Sequence, residues 1–200
     1  MKYYIDMVLL PDAEVHLAFI WQKVFQQVHI ALVENKIGPN ESAIAICIVH
    51  YGEKTFPLGN TLRLLANNEA DLQRLDIQHW LRRFPDYCHI KPIQSIPVDI
   101  QCHANFRRKQ AKSIYKKAER RAAHLNKPYE EVLAYLLNER PKKRPRLPFI
   151  ILESQETKKR IIASASSQFA LHIDKTIFSD TQIGTFDCYG LSKVATVPCF

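Results

Sequence analysis

The apolar positions of this chain change period several times, and each change marks an element. "KYYIDMVLL" opens as an apolar run with the character of a strand. From Leu17 to Glu34 the residues Leu17, Trp21, Val24, Phe25, Val28 and Leu32 recur at helical spacing. "SAIAICIVHYG" is rich in β-formers, and "TLRLLAN" is its expected partner across a loop bearing glycine and proline. Asn68 is placed to cap a helix running to about Phe84, and "CHIKPI" follows as another strand. The order is β-α-β-β-α-β, the ferredoxin-like pattern, in which two helices cover one face of a four-stranded sheet.

After about Pro97 the character changes. An extended "VDIQCHANFRR" leads into "RRKQAKSIYKKAERRAAH", where Ala111, Ile114, Tyr115, Ala118, Ala122 and Leu125 form one stripe at helical spacing. A helix over 109–125 is expected. "KPYEEVLAYLLNE" predicts a second helix, "RPKKRPRLP" a basic loop, and "FIILES", "KRIIASASSQFALHI" and "GTFDCYGLSKVATVPCF" the remaining strands. The expected class is therefore α+β: residues 1–97 form a ferredoxin-like domain, and 98–200 a smaller α+β domain that carries the basic helix.

Charge sharpens this division. The net charge is +8, but residues 1–50 sum to −2, 51–100 to 0, 101–160 to +11 and 161–200 to −1. Arg107, Arg108, Lys109, Lys112, Lys116, Lys117, Arg120 and Arg121 crowd into eighteen residues against the single acid Glu119. Like charges at three- and four-residue spacing repel by a few tenths of a kcal/mol each. Such a face suits a polyanion, and its cations are candidate nucleic-acid contacts.

The rest of the composition mostly excludes. With 46% apolar and 24% charged residues the chain is globular in type. No apolar run approaches the ~20 residues of a membrane span, and the N-terminus turns acidic too early for a signal peptide, so a soluble, cytoplasmic protein without membrane partners is expected. Five widely spaced cysteines without a C-x-x-C pair argue against disulfides and structural zinc, and are expected to be small buried fillers. The histidines lack metal-ligand spacing, and the five glycines form neither a P-loop nor G-x-G-x-x-G; no metal or other cofactor is expected.

"RKQAKS" heading the basic helix, "LPFIILESQ" after a short linker, the closing "CYGLSK" with its following proline and phenylalanine, and the histidine of "VFQQVHIALV" occur in one order along the chain. Together they resemble the CRISPR repeat-processing endoribonuclease of type I-F systems. The resemblance implies a metal-independent enzyme that binds the stem-loop of each repeat in precursor CRISPR RNA. It cuts at the 3′ base of the stem, stays bound to the crRNA, and joins other subunits of the surveillance complex. It implies His29 as the catalytic histidine, Ser154 as its helper and Tyr189 as the tyrosine that positions it. Arg108 and Gln110 are implied as readers of base edges beside the cut. Arg107, Lys112, Lys116, Lys117, Arg120 and Arg121 are the expected groove and phosphate contacts.

Two positions depart from the pattern. Glu156 stands where a second serine is expected, and Arg160 or Ile161 where an aromatic would stack beneath the stem; of these only the arginine is flat enough to stack on a base.

The chemistry is consistent with these residues. Without metal, RNA is cut by its own 2′-hydroxyl, which needs a base near neutral pH and an in-line geometry. Histidine suits the first need. His29 falls just past Phe25, at the rim of the apolar stripe, and Tyr189 is expected to orient it through the phenolic hydroxyl. The major groove of long A-form RNA is too narrow for side chains, but it opens near the ends of a short hairpin. There Arg108 can take a guanine edge and Gln110 an adenine. Two other readings also explain the charge: an RNA-hairpin-binding subunit that does not cleave, and a general duplex-DNA binder.

Overall fold

The computed structural model describes residues 1–109, 114–138, 147–153 and 168–200. It is a mixed α/β structure with antiparallel sheets, and it divides into two compact units, Met1–Arg108 with Pro148–Phe200, and Lys109–Leu147.

In the first unit β1 (Tyr3–Leu9), α1 (Leu17–Glu34), β2 (Ile44–Ile48), β3 (Thr61–Ala66), α2 (Glu69–Leu75), α3 (Ile77–Leu81) and β4 (Cys88–Ile90) follow one another. The strands pair in the order β2-β3-β1-β4, and the short β5 (Gln94–Ser95) also pairs β1. Register is fixed by Asp6 opposite Arg63 and Ile46 opposite Leu64. β2 and β3 are buried along their whole length. That explains their continuous apolar runs, because a strand covered on both faces has no reason to alternate. The charged exception is Arg63, whose guanidinium donates to both carboxylate oxygens of Asp6, at 2.7 and 3.1 Å. Bidentate pairing offsets the desolvation of the two charges.

The second sheet of this unit takes the order β7-β8-β6-β9, with β6 (His103–Lys109), β7 (Phe149–Glu153), β8 (Gln168–Phe178) and β9 (Val197–Pro198). Its residues Phe106, Ile150, Leu152, Leu171, Ile173 and Val197 share one core with Trp21, Phe25, Ile46 and Leu64. Helix α1 also packs against β7. The other unit holds α4 (Ile114–Leu125) and α5 (Tyr129–Asn138), joined over Ala118, Ala122, Val132 and Leu136.

Several expectations need correction. The helix expected from Asn68 to Phe84 is broken at Asp76, which takes a left-handed conformation at φ 44°, and Asn68 makes no side-chain cap bond. Lys109 ends strand β6 instead of opening a helix, since ladder pairing holds the chain extended there. On α4 only part of the expected stripe is covered: Ala118 and Ala122 are buried, while Tyr115 is 60% exposed and Leu125 47%. "GTFDCYGLSKVATVPCF" contributes only the two residues of β9 and a single bridge from Phe186 to Ser42, because a hydrogen-bonded turn at Asp187–Leu191 and irregular backbone take up the rest. Cys47, Cys88 and Cys188 are buried fillers as expected, but Cys102 and Cys199 are half-buried. The loop 139–146 and most of "KRIIASASSQFALHI" lie outside the described residues. Among the described residues no helix is long and apolar enough to cross a membrane.

Candidate active site

Helix α1 buries Phe25, Val28 and Leu32, and its next position around, His29, emerges half-buried at the rim of that face. Its Nδ1 lies 2.8 Å from the carbonyl oxygen of Cys188. A carbonyl only accepts, so Nδ1 carries the proton and, in the neutral ring, Nε2 keeps a free lone pair. The Tyr189 ring lies parallel to the imidazole at 4.0 Å between centroids and 3° between planes. The expected contact through the phenolic hydroxyl is thereby replaced by a face-to-face stack. Both imidazole nitrogens direct their lone pair or N–H within the ring plane, which a hydroxyl on a parallel ring does not enter.

The turn behind Tyr189 explains its position. Asp187 Oδ1 accepts from the backbone N–H of Tyr189 at 2.9 Å and of Leu191 at 3.1 Å. The Asp187 carbonyl accepts from the Gly190 N–H at 2.8 Å, and the Gly190 carbonyl from the Ile46 N–H of β2 at 2.9 Å. Gly190 has φ 71°, and a Cβ there would stand 2.5 Å from Ile46 Cγ2. Only glycine fits both the conformation and the approach. Sequence reasoning does not single out Asp187. Its signal is nonetheless present in "DCYG", an aspartate two residues before the N–H it accepts from and three before a glycine, which is an Asx-turn pattern.

Electrostatics favour a neutral histidine. Burial lowers the His29 pKa and nearby Arg108 lowers it further, against the Cys188 carbonyl and the charge of Asp187, which raise it. Burial raises Asp187, opposed by the N–H groups of Leu191 and Tyr189 and by Arg108 and His29. Arg108, on β6, sets its guanidinium 5.3 Å from the Tyr189 ring centre and 5.4 Å from that of Phe169. The arginine expected beside the cut thus belongs to the same cluster as His29 and Tyr189. Neighbouring side chains on a strand face opposite ways, and Arg107 turns to β8, donating twice to Asp174 at 2.8 and 3.0 Å. Part of its charge is already answered within the fold.

Gln26, one turn before His29, also escapes sequence reasoning. Its Oε1 accepts from the backbone N–H of Glu153 at the end of β7, at 2.8 Å, while its buried Nε2 has no partner among the described residues. One side chain therefore links the histidine's helix to the strand end from which Ser154 follows. The doubled glutamine of "VFQQVH" hints at this only through its three-residue spacing from the histidine. Ser154, Gln110, Lys112, Glu156, Arg160 and Ile161 lie outside the described residues.

In the helical unit Lys117 and Arg120 are exposed on α4, and Lys116 lies in the same helix. Arg121 is half-buried, its guanidinium 5.2 Å from the ring centre of Tyr135 on α5. Among the described residues no group of three or more histidine, cysteine, aspartate or glutamate side chains is arranged so that it could hold a metal ion.

A family model described as CRISPR-associated protein (Cas_Csy4) matches residues 4–200. A protein named CRISPR-associated endonuclease Cas6/Csy4 from Escherichia coli (strain UTI89 / UPEC) is 27% identical over 200 residues, covering 100% of both chains. Its namesake from Pseudomonas aeruginosa (strain UCBPP-PA14) is 29% identical over 201 residues, again covering 100% of both. A solved structure described as an RAMP protein binding different RNA substrates covers 98% of this chain and 99% of its own, at 11% identity and a TM-score of 0.36.

Proposed function

Since the chain belongs to the CRISPR-associated Csy4 family, we propose that it is the endoribonuclease that cuts CRISPR repeat RNA, with His29 as the general base. The observation that carries this reading is the state of His29: its Nδ1 proton is committed to the Cys188 carbonyl, its ring is clamped by Tyr189, and burial favours the neutral form. The remaining nitrogen, Nε2, takes the proton of the 2′-hydroxyl next to the cut. The freed oxygen attacks the adjacent phosphate, the 5′-oxygen leaves, and a 2′,3′-cyclic phosphate forms. Ser154 supplies a hydroxyl to the reacting phosphate or nucleophile. Arg108 reads a guanine edge in the pair beside the cut, and Gln110 an adenine. Lys112, Lys116, Lys117, Arg120 and Arg121 neutralise phosphates of the stem, Arg107 contributes to the same cationic surface, and Arg160 stacks in place of an aromatic.

The β2-β3-β1-β4 order with α1, α2 and α3 supports a ferredoxin-like arrangement as the base of this site. In this reading the cut falls at the 3′ base of the repeat stem, and the protein keeps its crRNA product as a subunit of the type I-F surveillance complex in the cytoplasm. The test is incubation with a cognate repeat hairpin in excess EDTA, beside the same hairpin carrying a 2′-deoxynucleotide at the cut. The all-ribose hairpin should yield a cyclic phosphate, and the deoxy hairpin should be bound and left whole. Retardation of both without cleavage would make the protein a hairpin-binding subunit only.

A further inference from the structure

Three of the five cysteines meet at a place unrelated to His29. Cys102 precedes β6 and Cys199 follows β9, and the register that pairs His103 with Pro198 and Ala104 with Val197 sets the two cysteines opposite each other. The Cys199 N–H donates to the Cys102 carbonyl at 2.8 Å. Residues so opposed in an antiparallel ladder stand about 5.5 Å apart at Cα, with side chains on one face. A disulfide spans about 4.4–6.8 Å. Both cysteines are half-buried and free. Cys47, on β2, is buried, and its thiol hydrogen-bonds the Cys199 sulfur, as does that of Cys102. Lys175 on β8 and Arg63 on β3 bring positive charge to the same sulfur.

We propose that Cys199 is an oxidation site, a thiolate that reduces hydroperoxides and then closes a disulfide with Cys102. The hydrogen bond from Cys47, with Lys175, Cys102 and Arg63 behind it, outweighs burial and brings Cys199 down to about 6. Cys47 is held protonated by the same hydrogen bond and by burial, which makes it a poor second nucleophile. A partly exposed thiol in positive surroundings is where oxidation is expected to fall. The Cys199 thiolate attacks one peroxide oxygen; the O–O bond breaks, an S–O bond forms, and hydroxide or alkoxide leaves. Sulfur loses two electrons and the peroxide gains them. The Cys102 thiol then attacks the Cys199 sulfenic sulfur, the S–S bond forms as the S–O bond breaks, and the departing hydroxide leaves as water with the proton that Cys102 gives up.

The test uses the full chain, fully reduced, treated with hydrogen peroxide, then alkylated and mapped by peptide mass spectrometry. Two of the five thiols should vanish together into a Cys102–Cys199 cross-linked peptide, while Cys88 and Cys188 remain alkylated. In Cys102→Ser, dimedone should trap a sulfenic acid on Cys199; in Cys199→Ser neither the cross-link nor the adduct should form. The wild-type map stands without either variant. A Cys199 that stays fully alkylated after peroxide, a Cys47–Cys199 cross-link, or oxidation falling first on Cys88 or Cys188 would overturn the proposal.

Discussion

The two compact units hold their proposed functional residues by different means. Met1–Arg108 with Pro148–Phe200 is built round large buried side chains, among them Trp21, Phe25, Met7 and Leu9. Among the described residues, the helical unit's buried core is two alanines, a valine and a leucine. Residues 109–147 carry twelve lysines and arginines against four acids, which in net equals the +8 of the whole chain. The first unit is neutral in sum. In the first, burial fixes a ring to within a few degrees of its partner; in the second, exposed charge matters and the packing beneath it is slight. Damage to the first should therefore read as lost chemistry, and damage to the second as graded loss of affinity.

The largest effect is expected from His29→Ala. General-base catalysis contributes about 10²–10⁴-fold, so single-turnover cleavage should fall at least that far. Hairpin affinity should hold within a few-fold, because the neutral imidazole adds no charge. Equal losses in rate and affinity would erase the distinction between the units.

Next comes Gly190→Ala. A left-handed φ costs a non-glycine residue roughly 1–3 kcal/mol, and the added Cβ would meet Ile46 Cγ2 at 2.5 Å. The turn must shift and carry Tyr189 away from His29. Thermal unfolding and cleavage should both decline, while RNA affinity declines less. An unchanged rate in a destabilised variant would show that the ring stack does not position the base.

The helical unit is probed by changing Lys117 and Arg120 to glutamine, since both are exposed. Each phosphate left without its cation should flatten the dependence of log K on log salt by about 0.7–0.9. Cognate and scrambled hairpins should weaken alike, with the helix intact by circular dichroism. An unaltered slope would make this face a solvated surface and leave recognition to Arg108 and its neighbours.

What the sequence discloses follows the same division. α1 is legible because eighteen residues of strict period place His29 at the rim wherever the helix packs. The succession of strands and helices from β1 to β4 is legible from local patterns. The kink at Asp76 is not, because a left-handed non-glycine residue carries no local signature strong enough to interrupt a helical run. The turn at Asp187–Leu191 is legible only in part: "DCYG" carries an Asx-turn pattern, but where the turn sits depends on a backbone contact to β2 more than a hundred residues earlier. Lys109 reads as part of a basic helix and ends a strand, since sheet pairing overrides a local preference. Stacking of Tyr189 on His29, in place of a hydroxyl bond, is tertiary geometry that spacing alone does not encode.

The smallest and most discriminating change is Asp187→Asn. The amide keeps an oxygen for the N–H groups of Tyr189 and Leu191, so the turn and the stacked ring should persist. Only the negative charge goes. That charge raises the His29 pKa, against burial and Arg108, which lower it. Without it the histidine should lose its proton at still lower pH. A rate that requires neutral His29 rises with pH and levels off above the histidine's pKa. The rising limb in the variant should therefore move to lower pH, making it a few-fold faster than wild type on the acid side. On the plateau it should be slightly slower, because a weaker base accepts the proton less readily. A limb that moves to higher pH, with the fold unchanged, would mean that Asp187 acts on the reaction by some path other than its charge on His29.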